Sequence, residues 1–313
     1  MEVRSVMALD SALCCKAERQ NFLEMLRQVG CKLTNPCGLS INKWIRLRGI
    51  TMSNLLIVEK SVNLLLGMNK VEKWHHVETL TIHSEKGLEF DTSHETVISY
   101  YINSEWANVR HITMKIHPST MKKLLFDMYE ERLAHLLSLE LHWGNAAHPG
   151  IDTGVTKAAD YCKELTSLKL ISKFSFVEAT TLGRFVNTNR GLVALEVTIE
   201  RLSDEIIAVF SEGKCLKHVT LHIQYGFNLK SLRMFLEACP NLTSFSAMLH
   251  HCGGHHEQFN LDMFTNTCSN FICEVHLKFH GTVRRANGIV QTFNHAQNGD
   301  AEVSNVFSSM RLY

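Results

Sequence analysis

A short hydrophobic pattern recurs along most of the chain and constrains its fold more than any other feature. Apolar residues occupy the first, fourth and sixth positions of a six-residue segment. Eight copies can be written: VETLTI at 77–82, VRHITM at 109–114, LLSLEL at 136–141, LTSLKL at 165–170, LVALEV at 192–197, LKHVTL at 216–221, LTSFSA at 242–247 and ICEVHL at 272–277. Their starts lie between 24 residues (192 to 216) and 32 residues (77 to 109) apart, which indicates one small structural unit repeated many times.

Segments with helical spacing lie between several of these copies. The segment 203–214 begins with Ser203 as a helix N-cap, and the segments 153–165 and 229–239 carry apolar residues on one helical face. A strand of a few residues and one short helix cannot bury an apolar side alone, so neighbouring units must stack around a shared core. The 313 residues would ordinarily suggest two domains, but the repeat predicts one solenoid instead.

Cysteine positions relate these repeats to a known class. Cys162 and Cys239 each precede the first leucine of a copy by three residues, and the segments around them resemble the cysteine-containing leucine-rich repeat. A cysteine at this corner acts as a small buried apolar plug, a role we also expect for Cys268 and Cys273. The resemblance implies an α/β fold, a leucine-rich-repeat horseshoe with a parallel concave sheet and outer helices.

The first 75 residues carry no visible copy of the repeat. Residues 16–30 predict an amphipathic helix, residues 40–49 a second helix, and residues 52–58 a strand. We therefore predict a small helical cap over residues 1–75 and about eight repeats over residues 76–313, because a solenoid needs a cover at its first open edge. For the second helix the pattern predicts two inward and two solvent-facing residues: Trp44 and Leu47, and Arg46 and Arg48.

The capping segment also carries a resemblance. The run MALDSALCCKAERQNFLEML at 7–26 and the run WIRLRGI at 44–50 are similar to the region that joins an F-box to the repeats in F-box leucine-rich-repeat proteins. In that family the F-box binds the Skp adaptor of a cullin ubiquitin ligase, and the repeats hold the substrate. The opening helix of an F-box has no counterpart here, so the resemblance implies a truncated or diverged F-box. The alternative is a plain helical cap.

Charge and motif content exclude several classes of function. Lys and Arg number 32 against 31 Asp and Glu, so no charge excess points to nucleic acid or to an anionic membrane. The sequence shows no secretory signal and no membrane-length apolar run, and its ten cysteines form no disulfide framework, so we expect a cytoplasmic or nuclear protein. Phosphate-loop, HExxH and GxSxG motifs are absent, and we predict a protein that is not an enzyme and holds no cofactor.

Strand alternation predicts which side chains leave the core. The third, fifth and seventh positions of each copy face outward, which gives 24 positions and includes six histidines. We predict that this face, about 40 Å long for eight strands, binds another protein or peptide. The candidate contact residues are His111, Lys115, Glu140, His142, Lys169, Glu196, His218, His222, His276 and Lys278.

The histidines allow two interpretations. Because the unperturbed pKa of histidine is about 6.5, a face rich in histidine can gain charge on mild acidification and bind its partner in a pH-dependent way. The alternative is that histidine simply suits a half-solvated strand position.

One further cluster, HHCGGHHE at 250–257, has the residue types that bind zinc. Adjacent histidines cannot all turn toward one ion, and the central Gly-Gly predicts a surface loop. We therefore expect no metal, with four residues as weak candidate ligands: His250, Cys252, His255 and His256.

Three functions follow in order. The first is protein recognition through the repeat face, with substrate reception in a Skp-cullin-F-box-type ubiquitin ligase as its setting. The second is a repeat scaffold or inhibitor-like binder without a ubiquitin connection. A zinc-dependent enzyme built around residues 250–257 comes last.

Overall fold

The chain forms two compact units, residues 1–163 and residues 164–313. The computed structural model describes the following residues: 3–13, 15–29, 31–34, 44, 47–48, 52–58, 62, 77–84, 89–144, 151–172, 175–225, 229–249, 274–279, 282–284, 290–292 and 301–302.

Parallel strands alternate with helices in the first unit. The strands pair in chain order, from the first to the fifth, and all of these pairs are parallel. The elements are α1 (Val3–Ala12), α2 (Lys16–Val29), β1 (Cys31–Thr34), β2 (Met52–Val58), β3 (Thr79–His83), α3 (Thr92–Ser104), β4 (His111–Lys115), α4 (Pro118–Asp127), α5 (Glu130–Ala134), β5 (Ser138–Trp143) and α6 (Ile151–Tyr161).

The second unit repeats this arrangement and ends differently. Its first five strands pair in parallel and in chain order, whereas the last strand pairs antiparallel with β10. The elements are β6 (Ser167–Ser172), α7 (Ala179–Thr188), β7 (Ala194–Ile199), α8 (Asp204–Glu212), β8 (His218–Ile223), α9 (Leu229–Ala238), β9 (Ser244–Leu249), β10 (Glu274–Phe279), β11 (Thr282–Arg284), β12 (Val290–Thr292) and β13 (Ala301–Glu302). The chain is thus an α/β protein whose parallel strands do not close into a barrel.

The hydrophobic pattern accounts for the position of every strand from β3 to β10. Each of these strands begins at the third residue of its six-residue segment, for example Thr79 in β3 and His218 in β8. In the seven copies whose burial is described, all three apolar positions are buried, from Val77 to Ala247. Equivalent positions also pair with each other, as Leu80 does with Ile112. The predicted core of the repeat is therefore confirmed for these copies.

Helices supply the other half of the core. Helix α8 begins after Ser203, whose hydroxyl accepts a hydrogen bond from the backbone N–H of Ile206 at 3.4 Å, as the N-cap prediction requires. Phe210 of α8 lies 5.2 Å from Phe235 of α9, and Phe235 lies 4.9 Å from Phe245 of β9, between ring centroids. Helix and strand side chains thus share one apolar layer in this unit.

Two of the repeat cysteines are buried as expected. Cys162 and Cys239 both lie in the core, and burial raises the pKa of the Cys162 thiol to about 12. Cys215, which is displaced from the repeat position, is exposed. The two other cysteines expected to act as plugs, Cys268 and Cys273, lie outside the described residues.

The N-terminal segment follows the sequence prediction in part. The predicted helix and strand appear as α2 and β2. The segment MSNLLI at 52–57 has the spacing of the repeat, and Asn54 pairs with Thr79 in the same register, so β2 is a copy that sequence analysis missed. Strand β1 continues the parallel order, and helix α1 was not predicted.

The predicted orientation of the second helix is wrong at two residues. Leu47 is 68% exposed instead of facing inward. Arg48 does not face solvent freely, because its Nε lies 3.1 Å from Oδ2 of the buried Asp10. A buried carboxylate needs a charged or hydrogen-bonding partner, and this need outweighs the helical pattern.

Candidate functional site

The exposed sheet face is the set of third, fifth and seventh positions of each segment in β3 to β9. The flanking fourth and sixth positions point into the core, so strand alternation turns this set outward. Most of these side chains are partly exposed, and two exceptions, Thr198 and His222, are buried. In each unit the face therefore offers polar side chains on strands whose backbones are fixed by ladder hydrogen bonds.

One cluster of charged side chains on this face lies in the first unit. Glu140 of β5 accepts a hydrogen bond from Nε2 of His142 at 2.6 Å, and Lys115 Nζ of β4 lies 3.3 Å from the same Glu140 oxygen. Lys115 and His142 are register partners on adjacent strands, which brings both to Glu140. The structure thus gathers three of the predicted contact residues into one group.

The second unit holds a cluster of the same composition. Glu196 of β7 accepts a hydrogen bond from Nε2 of His222 at 2.9 Å, and its other oxygen lies 3.2 Å from Nζ of Lys169. Lys169 and Glu196 are register partners on β6 and β7, and His222 extends from β8. Here each carboxylate oxygen has its own cationic or hydrogen-bonding partner, so the group is held from both sides.

These contacts change the acidity of both carboxylates. The hydrogen bond from His222 lowers the pKa of Glu196 to about 2, with a further contribution from Lys169 and against the effect of burial. Burial would raise the pKa of Glu140, but hydrogen bonds from His142 and Lys115 outweigh it and lower the pKa. Both glutamates therefore stay ionised well below neutral pH.

The burial of Thr198 departs from the expected exposure and has a local cause. The backbone N–H of Ser172 donates to the Thr198 hydroxyl at 3.0 Å, and the same hydroxyl lies 3.2 Å from the Ser172 carbonyl. The N–H of Val177 donates to the Thr198 carbonyl at 3.0 Å. The segment that follows β6 thus folds over this part of the face and covers it.

The remaining predicted contact residues join neither cluster. His111 and His218 are the first residues of β4 and β8; His111 is partly exposed and His218 is exposed. His276 and Lys278 occupy β10 positions opposite Ser246 and Met248. The weak zinc candidates His250, Cys252, His255 and His256 lie outside the described residues.

The described part of the chain offers little for other chemistry. Within it, no group of three or more His, Cys, Asp and Glu side chains is placed to hold a metal ion. Among the described helices, none combines the length and hydrophobicity that a bilayer-spanning segment needs.

Sequence analysis missed one buried charged group in the N-terminal segment. Asp10 of α1 accepts from Trp44 Nε1 at 2.9 Å and forms ion pairs with Arg19 at 3.2 Å and Arg48 at 3.1 Å. It lies four residues after the buried Val6, on the apolar side of the helix. An acidic residue at an apolar helical position was the available signal.

Comparisons with known proteins add no relative. The chain matches no protein-family model, and no curated protein shows significant similarity to it.

Proposed function

We propose that the chain is a leucine-rich-repeat protein of the horseshoe type, without catalytic activity, that recognises another protein or peptide through its exposed sheet face. The observation that carries this proposal is the pair of Lys-Glu-His clusters, one in each unit. Strands hold these groups in place before a partner arrives, so little conformational entropy is lost on binding.

The size and polarity of the face favour a peptide chain over a small metabolite. Five parallel strands in each unit span about 20 Å at the usual strand spacing. The lysines Lys115 and Lys169 are 44% and 41% exposed, whereas their glutamate partners are about half as exposed. A partner therefore meets ammonium groups and hydroxyls spread over a broad surface.

Affinity purification tests this proposal. The variant with both Lys169→Ala and His218→Ala removes exposed groups of the face without touching the buried His222. We expect it to lose partners that the unmodified protein retains. A matched variant on helix α9, with Arg233→Ala and Glu237→Ala, removes an exposed ion pair and should retain them. Equal recovery of all partners by both variants would contradict the proposal.

We further propose that the setting is a Skp-cullin-F-box-type ubiquitin ligase, in which the N-terminal segment binds the Skp adaptor. Support comes from three exposed apolar side chains in that segment, Leu9, Met25 and Leu47, which are available for a protein partner. Binding of purified adaptor to the full chain, and its loss on Leu9→Asp with Leu47→Asp, is the expected result. Absence of binding to the unmodified chain would favour the alternative, a scaffold or inhibitor-like binder unrelated to ubiquitin.

A further inference from the structure

Three exposed aromatic side chains lie where helices of the first unit end. Tyr100, Phe126 and Tyr129 are 60%, 61% and 60% exposed. Large aromatic side chains are costly to leave in water, and a group of them on a surface marks an interaction site. None of the three belongs to the exposed sheet face, so they are not explained by the function proposed above.

Hydrogen bonds place these residues in one neighbourhood. The side-chain amide of Asn103 in α3 donates to the carbonyl of Asp127 at 2.9 Å and accepts from the backbone N–H of Tyr129 at 2.8 Å. Tyr100 lies one turn before Asn103 on the same helix, and Phe126 directly precedes Asp127. The C-terminal ends of α3 and α4 are therefore adjacent.

Carboxylates accompany the aromatic residues. Glu105 follows α3, Asp127 ends α4, and Glu130 and Glu131 begin α5. Within the described residues, none of these four carboxylates forms an ion pair. We name the three aromatic residues and these four carboxylates the aromatic edge. The hydrogen bond to Glu130 raises the pKa of the Tyr161 phenol, and burial together with the charge of Glu105 raises that of Tyr101.

The nearby cations do not neutralise this edge, because backbone carbonyls engage them. Arg132 donates to the carbonyls of Asn103 at 3.1 Å and Ala107 at 2.8 Å. Lys157 of α6 donates to the carbonyl of Met128 at 2.8 Å, and its Nζ lies 5.3 Å from the centroid of the Phe126 ring. Helix C-termini carry partial negative charge, which adds to that of the carboxylates.

We propose that the aromatic edge docks a lysine- or arginine-rich segment of another protein. Charge complementarity selects this partner: the carboxylates attract its cations, and the exposed rings receive them face-on. Lys157 over Phe126 already shows one such contact within the chain. The edge acts independently of the exposed sheet face.

The test uses the full chain and two fluorescein-labelled decapeptides, one alternating Arg with Ser and the other Glu with Ser. Fluorescence anisotropy should show preference for the basic peptide, with affinity that falls as salt rises. Tyr100→Ser with Tyr129→Ser should weaken binding about five- to tenfold. The matched control replaces two exposed aromatic residues of the second unit, Phe176→Ser with Tyr225→Ser, and should bind within about twofold of the unmodified chain.

A second variant separates charge from folding effects. Glu130→Gln with Glu131→Gln keeps both side-chain shapes and should weaken binding of the basic peptide while making it less sensitive to salt. Thermal unfolding of each variant checks that the fold is intact. The proposal is overturned if a folded aromatic or glutamine variant binds like the unmodified chain, or if the acidic peptide binds as well as the basic one.

Discussion

His222 donates a hydrogen bond from Nε2 to Glu196 at 2.9 Å, across the pairing of β8 with β7. His222 is buried, and the carboxylate that it contacts also lies 3.2 Å from Lys169 on β6. Three strands are thus linked through side chains on the exposed sheet face, in addition to their backbone ladders. The linkage has consequences for stability that can be measured.

Glu196→Gln should destabilise the protein at neutral pH and lose this effect in acid. The pKa of the carboxyl falls from 4.5 to about 2 on folding, so its contribution is present above about pH 4.5 and is lost as the pH falls through 2. We expect a loss of about 1–3 kcal/mol in the free energy of unfolding at neutral pH, allowing for solvent screening. Urea denaturation at several pH values measures it, and a pH-independent difference would contradict the assignment.

His222→Ala should cost more stability than His218→Ala. The first change removes a buried donor and leaves Glu196 with Lys169 alone, whereas His218 is exposed at the start of the same strand. We expect a loss of about 1–2 kcal/mol for His222 and less than about 0.5 kcal/mol for His218. Denaturant unfolding of the two variants side by side provides the comparison. Equal losses would show that the contact with Glu196 contributes no stability.

Asp10→Ala should loosen the N-terminal helices. The Asp10 side chain is only 3% exposed and pairs with Arg19 of α2 and with Arg48, so its loss removes the charge that joins these segments. The arginines can still reach water, which limits the expected loss to about 1–3 kcal/mol. Hydrogen exchange of residues 3–29 should accelerate in this variant. Glu18→Ala, on an exposed position of α2, is the control and should leave exchange unchanged.

Gly154→Val should be poorly tolerated. A Cβ at Gly154 in α6 would lie 3.1 Å from the Lys122 carbonyl oxygen and 3.3 Å from Leu125 Cβ, so α6 approaches α4 too closely for a side chain. We expect destabilisation of about 1–3 kcal/mol, seen as a lower Tm. Gly191→Val is the matched control, because nothing lies within 4 Å of a Cβ there. A Tm drop as large for Gly191 would remove the packing explanation.

Thiol labelling should divide the described cysteines into two classes. Cys15 and Cys215 are exposed, whereas Cys162 and Cys239 are buried. Because the thiolate is the reacting form, burial and the raised pKa of Cys162 should both slow its alkylation. Mass spectrometry after iodoacetamide treatment of the folded protein should find label on the first pair and little on the second until denaturant is added. Early labelling of Cys162 would place it outside the core.

Much of the fold could be predicted because its signal is local. An apolar residue at the first, fourth and sixth positions is enough to specify which side of a strand is buried, as Leu165, Leu168 and Leu170 show. The copy that was missed, in β2, has the same spacing but stands among charged residues that suggested a cap. The antiparallel pairing of β13 with β10 has no such pattern in the sequence.

The sequence by itself determined the repeat, its strands and the outward position of the candidate contact residues. Only the tertiary structure decided which of these residues meet. Lys115 reaches Glu140 from the seventh position of its segment, whereas Lys169 reaches Glu196 from the fifth. Long side chains on adjacent strands can contact either a direct or a diagonal neighbour, and packing around them selects one. Chain segments more than twenty residues apart set that packing, so no local pattern records it.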